Sequence, residues 1–517
     1  MMQHPNNAIP LLERLLPLIT STSTDRTDLI SPLSGEAIAK IPVSSTSDID
    51  AAFAQARATY ETWSKVSLNE RIQIIRRFHD FVLNEQAEIL DIIQWENGKA
   101  RSNALDEVLD VALTCRYYAS VSKKLLKPRR KRGAFPIVTK TWHHVLPIGV
   151  VGVISPWNYP FTLSVSDYIP AILAGNTIVI KPDIQTPLSA LWALEQLLKA
   201  GLPKGVINIV MGDGAVVGPE LVSKSDYIMF TGSTRVGRTV ASEAGQRLIG
   251  ASMELGGKNS LIIDKDCNLD VAVEIAVRGA FANAGQLCIG TERLLVHEDI
   301  KDIFTERFVA AVGQLKVGNE IGWQSDIGPL INARQVETAA LHIEDALAKG
   351  AKVLVGGKSL PEISPFAFAP TVLANVPEQA LVCKTETFAP VCSIYSWKTE
   401  ADLLARVNDT DYGLNAGIVS SNIAWARSLA TKIKTGTVNI NEAFGSAYAS
   451  IDAPMGGMGQ SGVGRRHGSE GLLKYTESQT VSVQRWMKLT AQWGMSDESW
   501  ARFTTSALKI LKALRFR

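Results

Sequence analysis

A chain of 517 residues is too long for one ordinary hydrophobic core, so two or three domains are expected. Hydrophobic residues at 46% and charged residues at 20% exclude a disordered chain, and a net charge of +2 offers no global attraction for nucleic acid. Five cysteines (Cys115, Cys267, Cys288, Cys383 and Cys392) lack paired ligand spacing and are odd in number. That argues against a metal site and a disulfide framework, and for a reducing compartment. Residues 1–28 are polar and interrupted by Pro5, Pro10 and Pro17, without the apolar core of a secretory signal, and no apolar run is long enough to cross a bilayer. The expectation is a cytoplasmic protein.

In chain order, Ser47 to Lys127 repeats apolar residues every three or four positions (Ile72, Ile75, Phe78, Phe81, Val82), the period of helices. Lys127 to Gly133 (KPRRKRG) is a dense basic run, read as a solvated loop or as a contact for an anion or phospholipid. Ile137 to Leu146 reads as extended, a hairpin leaving its domain. From Gly149 to Gly257 strand-like and helix-like stretches alternate: Val150–Ser155, Thr177–Ile180, Val206–Val210, Tyr227–Phe230 and Leu248–Met253 as strands, Val216–Val222 and Val236–Ala244 as helices. Thr186-Pro187 reads as a capping residue and first-turn proline opening a further helix that Gly201 closes. Such alternation predicts an α/β fold with right-handed crossovers and a doubly wound parallel sheet, which takes ligands at the carboxyl ends of its strands.

Chemistry-bearing stretches lie within and beyond this region. A clean GxGxxG is absent, since Gly212-Asp213-Gly214 meets its third glycine, Gly218, one position late. Phe230-Thr231-Gly232-Ser233-Thr234-Arg235-Val236-Gly237 has the form of a strand end, a small-residue turn and a helix start, where backbone amides and hydroxyls can hold a pyrophosphate. It also reads as a turn that needs Gly for geometry alone. Cys288 follows Asn283-Ala284-Gly285-Gln286-Leu287 after an apolar Gly/Ala-rich segment, and is either a nucleophile or a small buried hydrophobe.

Pro156-Trp157-Asn158-Tyr159-Pro160, Lys181-Pro182, Phe230 to Ser233, Glu254-Leu255-Gly256-Gly257-Lys258, Asn283 to Cys288 and Glu386-Thr387-Phe388-Ala389-Pro390 occur in the order of the aldehyde dehydrogenase superfamily. The resemblance runs from Pro32 to Gln479. Through Lys181-Pro182-Asp183, Ala453 to Gly459 and Gly464 to Gly468 the chain is most similar to bacterial NADP-dependent succinate-semialdehyde dehydrogenases. The fold this implies has an NAD(P)-binding domain (1–135 and 150–257), an α/β catalytic domain (258–450), a small β oligomerisation element (136–149 and 451–490) and an amphipathic C-terminal tail (491–517).

The resemblance assigns Cys288 as nucleophile, Glu254 as general base and Asn158 as oxyanion donor. It assigns Trp157, Lys181, Gly232, Ser233, Gly256, Glu386 and Phe388 to the cofactor, and no metal. Glu254 also reads as a carboxylate paired with Lys258. The implied reaction is NAD(P)+-dependent oxidation of an aldehyde to the acid through a thiohemiacetal and thioester. Ile184 stands where NAD-preferring relatives carry a glutamate, which leans the cofactor toward NADP, although Asp183 adjoins it. Succinate semialdehyde is the implied substrate, yet the two arginines that hold its carboxylate elsewhere are replaced by Ala282 and Ser166, which cannot form a bidentate clamp. Phe161, Tyr168, Phe281, Trp323 and Phe444 could instead line an apolar funnel for broad-specificity or medium- to long-chain oxidation. A non-catalytic binding protein on the same fold would show decay of nucleophile, base or cofactor residues, and none has decayed. The strand-like Thr480–Val483, with the hairpin before Val150, implies a homodimer or homotetramer. In the segment Trp500 to Arg517, Leu508, Leu511 and Leu514 share one helical face while Lys509, Lys512, Arg515 and Arg517 decorate others. That pattern packs on protein or attaches to an anionic membrane.

Overall fold

The computed structural model describes residues 8–133 and 138–515. Ile137, where the expected extended segment starts, and Arg517 lie outside the described residues. The chain divides into two compact units, Met1–Ser122 with Pro147–Tyr475, and Lys123–Leu146 with Thr476–Arg517. The expected divisions stood instead at 135, 149, 257, 450 and 490.

In the first unit, the stretch read as helical forms helices Thr46–Trp63, Leu68–Asn84, Gln86–Asn97 and Arg101–Leu126. Ser45 and Asp48 cap the first reciprocally, each side chain accepting from the other's amide, and Ser67 caps the second. Of the five periodic residues all but Phe81 are buried. The N-terminal stretch read as merely polar contains a helix, Ala8–Leu15, that buries Leu11 and Leu15.

Two sheets follow. The first has the strand order Gly462–Val463, Gly250–Glu254, Tyr227–Thr231, Val150–Ile154, Thr177–Lys181, Ile207–Ile209, parallel throughout except for its two-residue edge. The alternation read from Gly149 to Gly257 is therefore a doubly wound sheet. Its winding reverses between Val150–Ile154 and Tyr227–Thr231, so loops there leave a crevice at the carboxyl ends. The second sheet, seven strands among the described residues, is centred on Thr291–His297 and Asn259–Ile263. Those two strands and Val391–Trp397 are buried along nearly their whole length, as strands covered on both faces must be.

One local reading is corrected. The helix after Thr186 runs Leu188–Lys199, and the Thr186 hydroxyl makes no cap. The Glu96 carboxylate takes its place, accepting from the amides of Leu188 at 2.6 Å and Ser189 at 2.9 Å and from the Ser189 hydroxyl. Burial of that carboxylate pushes its pKa up to about 8. Gly201 closes the helix in a left-handed conformation at φ +96°, with the Leu202 amide reaching back to Leu197.

The second unit holds a three-stranded sheet ordered Thr476–Gln484, Thr139–Pro147, Arg129–Arg132. The basic run is thus an exposed edge strand, pairing antiparallel with His143 to Lys140, rather than a loop. Four charged side chains along an edge repel further strands. The C-terminal helix spans Asp497–Ala513, capped by Ser496. Trp500 is buried, its indole donating to the Leu489 carbonyl and its ring lying near Trp493 and Phe503. Leu508, Ile510 and Leu514 are exposed.

Candidate active site

Helix Leu269–Phe281 ends just before the cysteine loop, and three successive residues turn left-handed: Asn283 at φ 52°, Ala284 at 54° and Gly285 at 69°. For residues with a Cβ that conformation costs about 1–3 kcal/mol each and persists only where surroundings impose it. Here they do. The Asn283 amide donates to Asn103 Oδ1 at 2.9 Å, its side chain donates to the Asn158 carbonyl at 2.9 Å, and Gln286 Oε1 accepts from the Ile331 amide. A Cβ on Gly285 would stand 2.1 Å from the Ala389 carbonyl oxygen, so glycine is required there. The Asn259 side chain holds the Cys288 carbonyl at 2.7 Å. Burial, then Glu386 and Glu254, push the half-buried Cys288 thiol up to about 12, against a pull from the Ile289 amide.

Asn158 follows the strand Val150–Ile154 and is buried, its amide donating to the Gln286 carbonyl at 3.0 Å. Its backbone is positioned from below by a fully buried ion pair. Lys99 Nζ lies 2.7 Å from Glu107 and 2.6 Å from the Asn158 carbonyl, while Glu107 accepts from the Phe161 and Thr162 amides. Lys99 also sits 3.7 Å over the Tyr159 ring. Burial pushes Lys99 down and Glu107 up, and each charge opposes the other's shift.

Glu254 ends strand Gly250–Glu254 and is buried, with its pKa pushed up to about 7 by burial and held there against the pull of Arg466 and Lys474. Lys258 is not its partner: that lysine pairs with Glu292, which also accepts from the Thr387 and Phe388 amides. Glu292 thereby fixes the turn carrying Glu386 and Phe388.

Cys288 and Asn158 line one cavity of about 200 Å³, together with Tyr159, Leu287, Phe444 and Arg466. Of the five aromatics read as a funnel, Phe444 alone lines it. Phe161, Tyr168 and Phe281 are core, and Trp323 is exposed beside a neighbouring groove. Ala282 borders that groove, and the Ser166 hydroxyl is spent on Asp110 at 2.6 Å. Arg278, one helical turn before Ala282, does line the cavity, 5.4 Å from the Phe444 ring and 3.4 Å from Glu442.

On the cofactor side, Lys181, Gly232 and Ser233 stand at the carboxyl ends of the two parallel strands that flank Val150–Ile154. Ser233 caps helix Thr234–Gln246. The Lys181 ammonium is buried and, among the described residues, bonds the Pro182 carbonyl at 3.2 Å and no carboxylate, which leaves capacity for a ribose hydroxyl or phosphate oxygen. The Gly257 amide donates to Glu386 at 2.8 Å, and a Cβ on Gly256 would meet that carboxylate at 2.3 Å. Trp157 and Phe388 meet edge to face at 5.5 Å. A dinucleotide suits this set, with a buried cation at one end and a carboxylate at the other.

Lys99, Glu107, Glu292, Arg278, Arg466 and Asp167 escaped the sequence reading. None is adjacent in sequence to the residue it supports, and Glu107 and Arg278 stand in helices, where charged residues ordinarily read as solvated faces.

The Aldehyde dehydrogenase family model matches residues 19–481. A Mycobacterium tuberculosis protein provisionally named NADP+-dependent succinate-semialdehyde dehydrogenase 2 is 47% identical over 468 residues, 90% of each chain. A counterpart from Mycolicibacterium smegmatis is 45% identical over 93% of each. Among solved structures, betaine aldehyde dehydrogenase from Staphylococcus aureus in complex with NAD+ superimposes with a TM-score of 0.88 at 29% identity, covering 95% of this chain and 99% of that one.

Proposed function

The chain belongs to the aldehyde dehydrogenase family, and from that premise we propose that Cys288, Asn158 and Glu254 carry out its oxidation of an aldehyde, that of succinate semialdehyde to succinate. The enzyme is an NAD(P)+-dependent oxidoreductase acting on aldehydes. The observation that carries the residue assignment is the shared cavity of Cys288 and Asn158, with Glu254 close enough to raise the thiol's pKa.

A trigonal aldehyde carbon does not readily give up hydride, so Cys288 Sγ attacks it, passing its proton to solvent water as the C–S bond forms. The Asn158 side-chain amide and the Cys288 backbone amide stabilise the resulting oxyanion. When bound, NAD(P)+ supplies the hydride acceptor, held by Trp157, Lys181, Gly232, Ser233, Gly256, Glu386 and Phe388. A thioester then remains on Cys288. Glu254 takes a proton from water as it attacks this thioester, and the acid leaves with the thiol restored. With a pKa near 7, Glu254 is matched to that role. NADP is favoured over NAD: Ile184 puts no charge at the lysine's ribose side, and Asp183 is turned onto Gln185, accepting from its amide at 3.0 Å.

The names of the relatives support succinate semialdehyde as substrate, and Arg278 supplies a cation in the cavity wall. A second reading, an apolar aldehyde, is favoured by the rest of that wall, which includes Leu109, Leu113, Leu163 and Met455. The comparison of kcat/KM for succinate semialdehyde and pentanal, each with NADP and NAD, separates them. An advantage of about 100-fold for the semialdehyde, roughly 3 kcal/mol in the transition state, is expected; parity or an advantage for pentanal would establish the apolar reading.

The sheet of the second unit supports a homo-oligomer. One edge is blunted by Arg129–Arg132, while the other, Thr476–Gln484, is nine residues long with Glu477 as its lone charge, a strand suited to pairing with a second copy. No helix among the described residues is long and apolar enough to cross a membrane. The tail supports surface attachment instead, with exposed Phe503 and Ile510 on one helical face, Lys509 and Lys512 on another, and exposed Leu514 with Arg515 just past the helix end. Co-sedimentation with vesicles containing phosphatidylserine should fall at least about tenfold when the chain stops before Ser496. Equal pelleting with pure phosphatidylcholine, or no loss on truncation, would refute attachment.

A further inference from the structure

Glu254 Oε1 is buried and, among the described residues, has no hydrogen-bond partner. With no donor on that oxygen, its protonation is set by burial and then by neighbouring charge. The geometry brings that charge from three separate stretches. Strand Gly250–Glu254 pairs with Gly462–Val463, whose continuation reverses through Arg465 and Arg466 and bridges back to Met455. This places Gly456 against the carboxylate, where an added Cβ would stand 3.2 Å from Oε1. Arg466 is buried and lies 3.0 Å from Asp167, itself buried after the Asn158 loop. Lys474 reaches in from the next helix, with Nζ 3.4 Å from Met229 Sδ on the neighbouring strand.

The charges that act on Glu254 are those of Arg466, Lys474, Asp167 and Arg465, and its own charge acts on the Cys288 thiol and the Tyr227 hydroxyl. Arg465 is turned onto the Gly457 and Gly464 carbonyls. Arg466 also feels Asp110 and Tyr448. His467, although adjacent, is buried between Arg466 and Lys474 and held neutral, far below the usual range.

We propose that Arg466 is a positioning residue for thioester hydrolysis: it keeps Glu254 an anion able to accept the water proton, and Asp167 limits how strongly it does so. This rests on the reading of Glu254 as general base. The couple acts at one step only. Water attacks the acyl carbon of the Cys288 thioester, one of its protons passes to Glu254, the C–S bond breaks, that proton is returned to the departing sulfur, and carboxylic acid and thiol are released. Without Arg466 the carboxylate would be protonated at neutral pH. Without Asp167 the arginine's full charge would fall on it and make it a weaker base. Among the described residues Asp167 is the ion-pair partner of Arg466, so the two substitutions should act in opposite directions.

That opposition is the test, and it needs no cofactor. The thiol can be acylated with p-nitrophenyl acetate at pH 8, the acyl-enzyme trapped by chilling and acidification, the excess removed, and loss of the acetyl group followed by intact mass after a jump to each pH from 5 to 9. In the unmodified protein the hydrolysis rate should rise through a midpoint near that of Glu254. Arg466→Gln should move the midpoint up by about one pH unit and Asp167→Asn should move it down. Arg466→Lys should restore it, and Lys474→Met should move it up. If midpoints stay in place while rates fall, or both substitutions shift them the same way, the proposal is overturned and Arg466 is structural. Should Arg466→Gln not fold, the sign of the Asp167→Asn and Lys474→Met shifts decides alone. Failure of the unmodified protein to acetylate would instead refute Cys288 as the nucleophile.

Discussion

Cys288→Ala should lower kcat/KM for aldehyde oxidation by at least about 10^4-fold, with cofactor binding and thermal stability retained. The reason lies in the order of bond changes. Hydride can leave an aldehyde carbon only once that carbon is tetrahedral, and among the cavity-lining residues Cys288 is the nucleophile that can make it so. The oxyanion donor Asn158 would remain in place, because its geometry depends on Gln286 and Lys99 rather than on the thiol. Residual positioning therefore cannot replace the missing bond. The substitution also removes a half-buried sulfur facing the cavity rather than a core side chain, so the fold should tolerate it. Titration of NADPH formed in a single turnover checks the prediction. If the variant still produced one equivalent at a measurable rate, oxidation would proceed through a hydrated aldehyde and the covalent route would be wrong.

Lys99→Met should destabilise the protein by about 3–5 kcal/mol and depress kcat/KM as well, the largest stability effect expected from a single change near the site. The substitution leaves Glu107 charged and fully buried with its cation gone. It also removes the donor that holds the Asn158 carbonyl at 2.6 Å. Because Glu107 in turn binds the Phe161 and Thr162 amides, loss of the pair loosens both ends of the loop that carries the oxyanion donor. Replacing both partners by apolar residues should cost less stability than Lys99→Met alone, since no uncompensated charge is left. Rates of thermal inactivation measure the first effect, and steady-state kinetics below the inactivation temperature the second. A variant as stable and active as the parent would mean that Glu107 is neutral in the folded state and that the loop is held by packing.

The two predictions draw on different sources. Cys288 is legible from the sequence, though not from residues 283–288 alone, because its loop, a proline-flanked Trp-Asn turn and a Glu-Leu-Gly-Gly turn keep their order along the chain. Lys99 is not. It sits 59 residues before the carbonyl it holds, with nothing in the intervening period to mark it. The same division recurs at Glu254, whose proposed role follows from a motif but whose charge environment comes from residues between 167 and 474, gathered in part by strand pairing.

What the sequence by itself determined was local: the alternation of strands and helices from Gly149 to Gly257, the turns that place Asn158, Lys181, Ser233 and Glu254 at strand ends, and the family order of motifs. These depend on periodicity, capping and glycine geometry, all of which act between near neighbours in the chain. Only the tertiary structure decided that Glu96 rather than Thr186 caps the helix at Leu188, that Lys258 belongs to Glu292, that the basic run is an edge strand, and that Arg466 pairs with Asp167. Each is a choice of partner across tens to hundreds of residues. A buried charge takes whichever opposite charge the crossovers and strand registers bring within reach, and neither register nor crossover is written beside the residue that needs it.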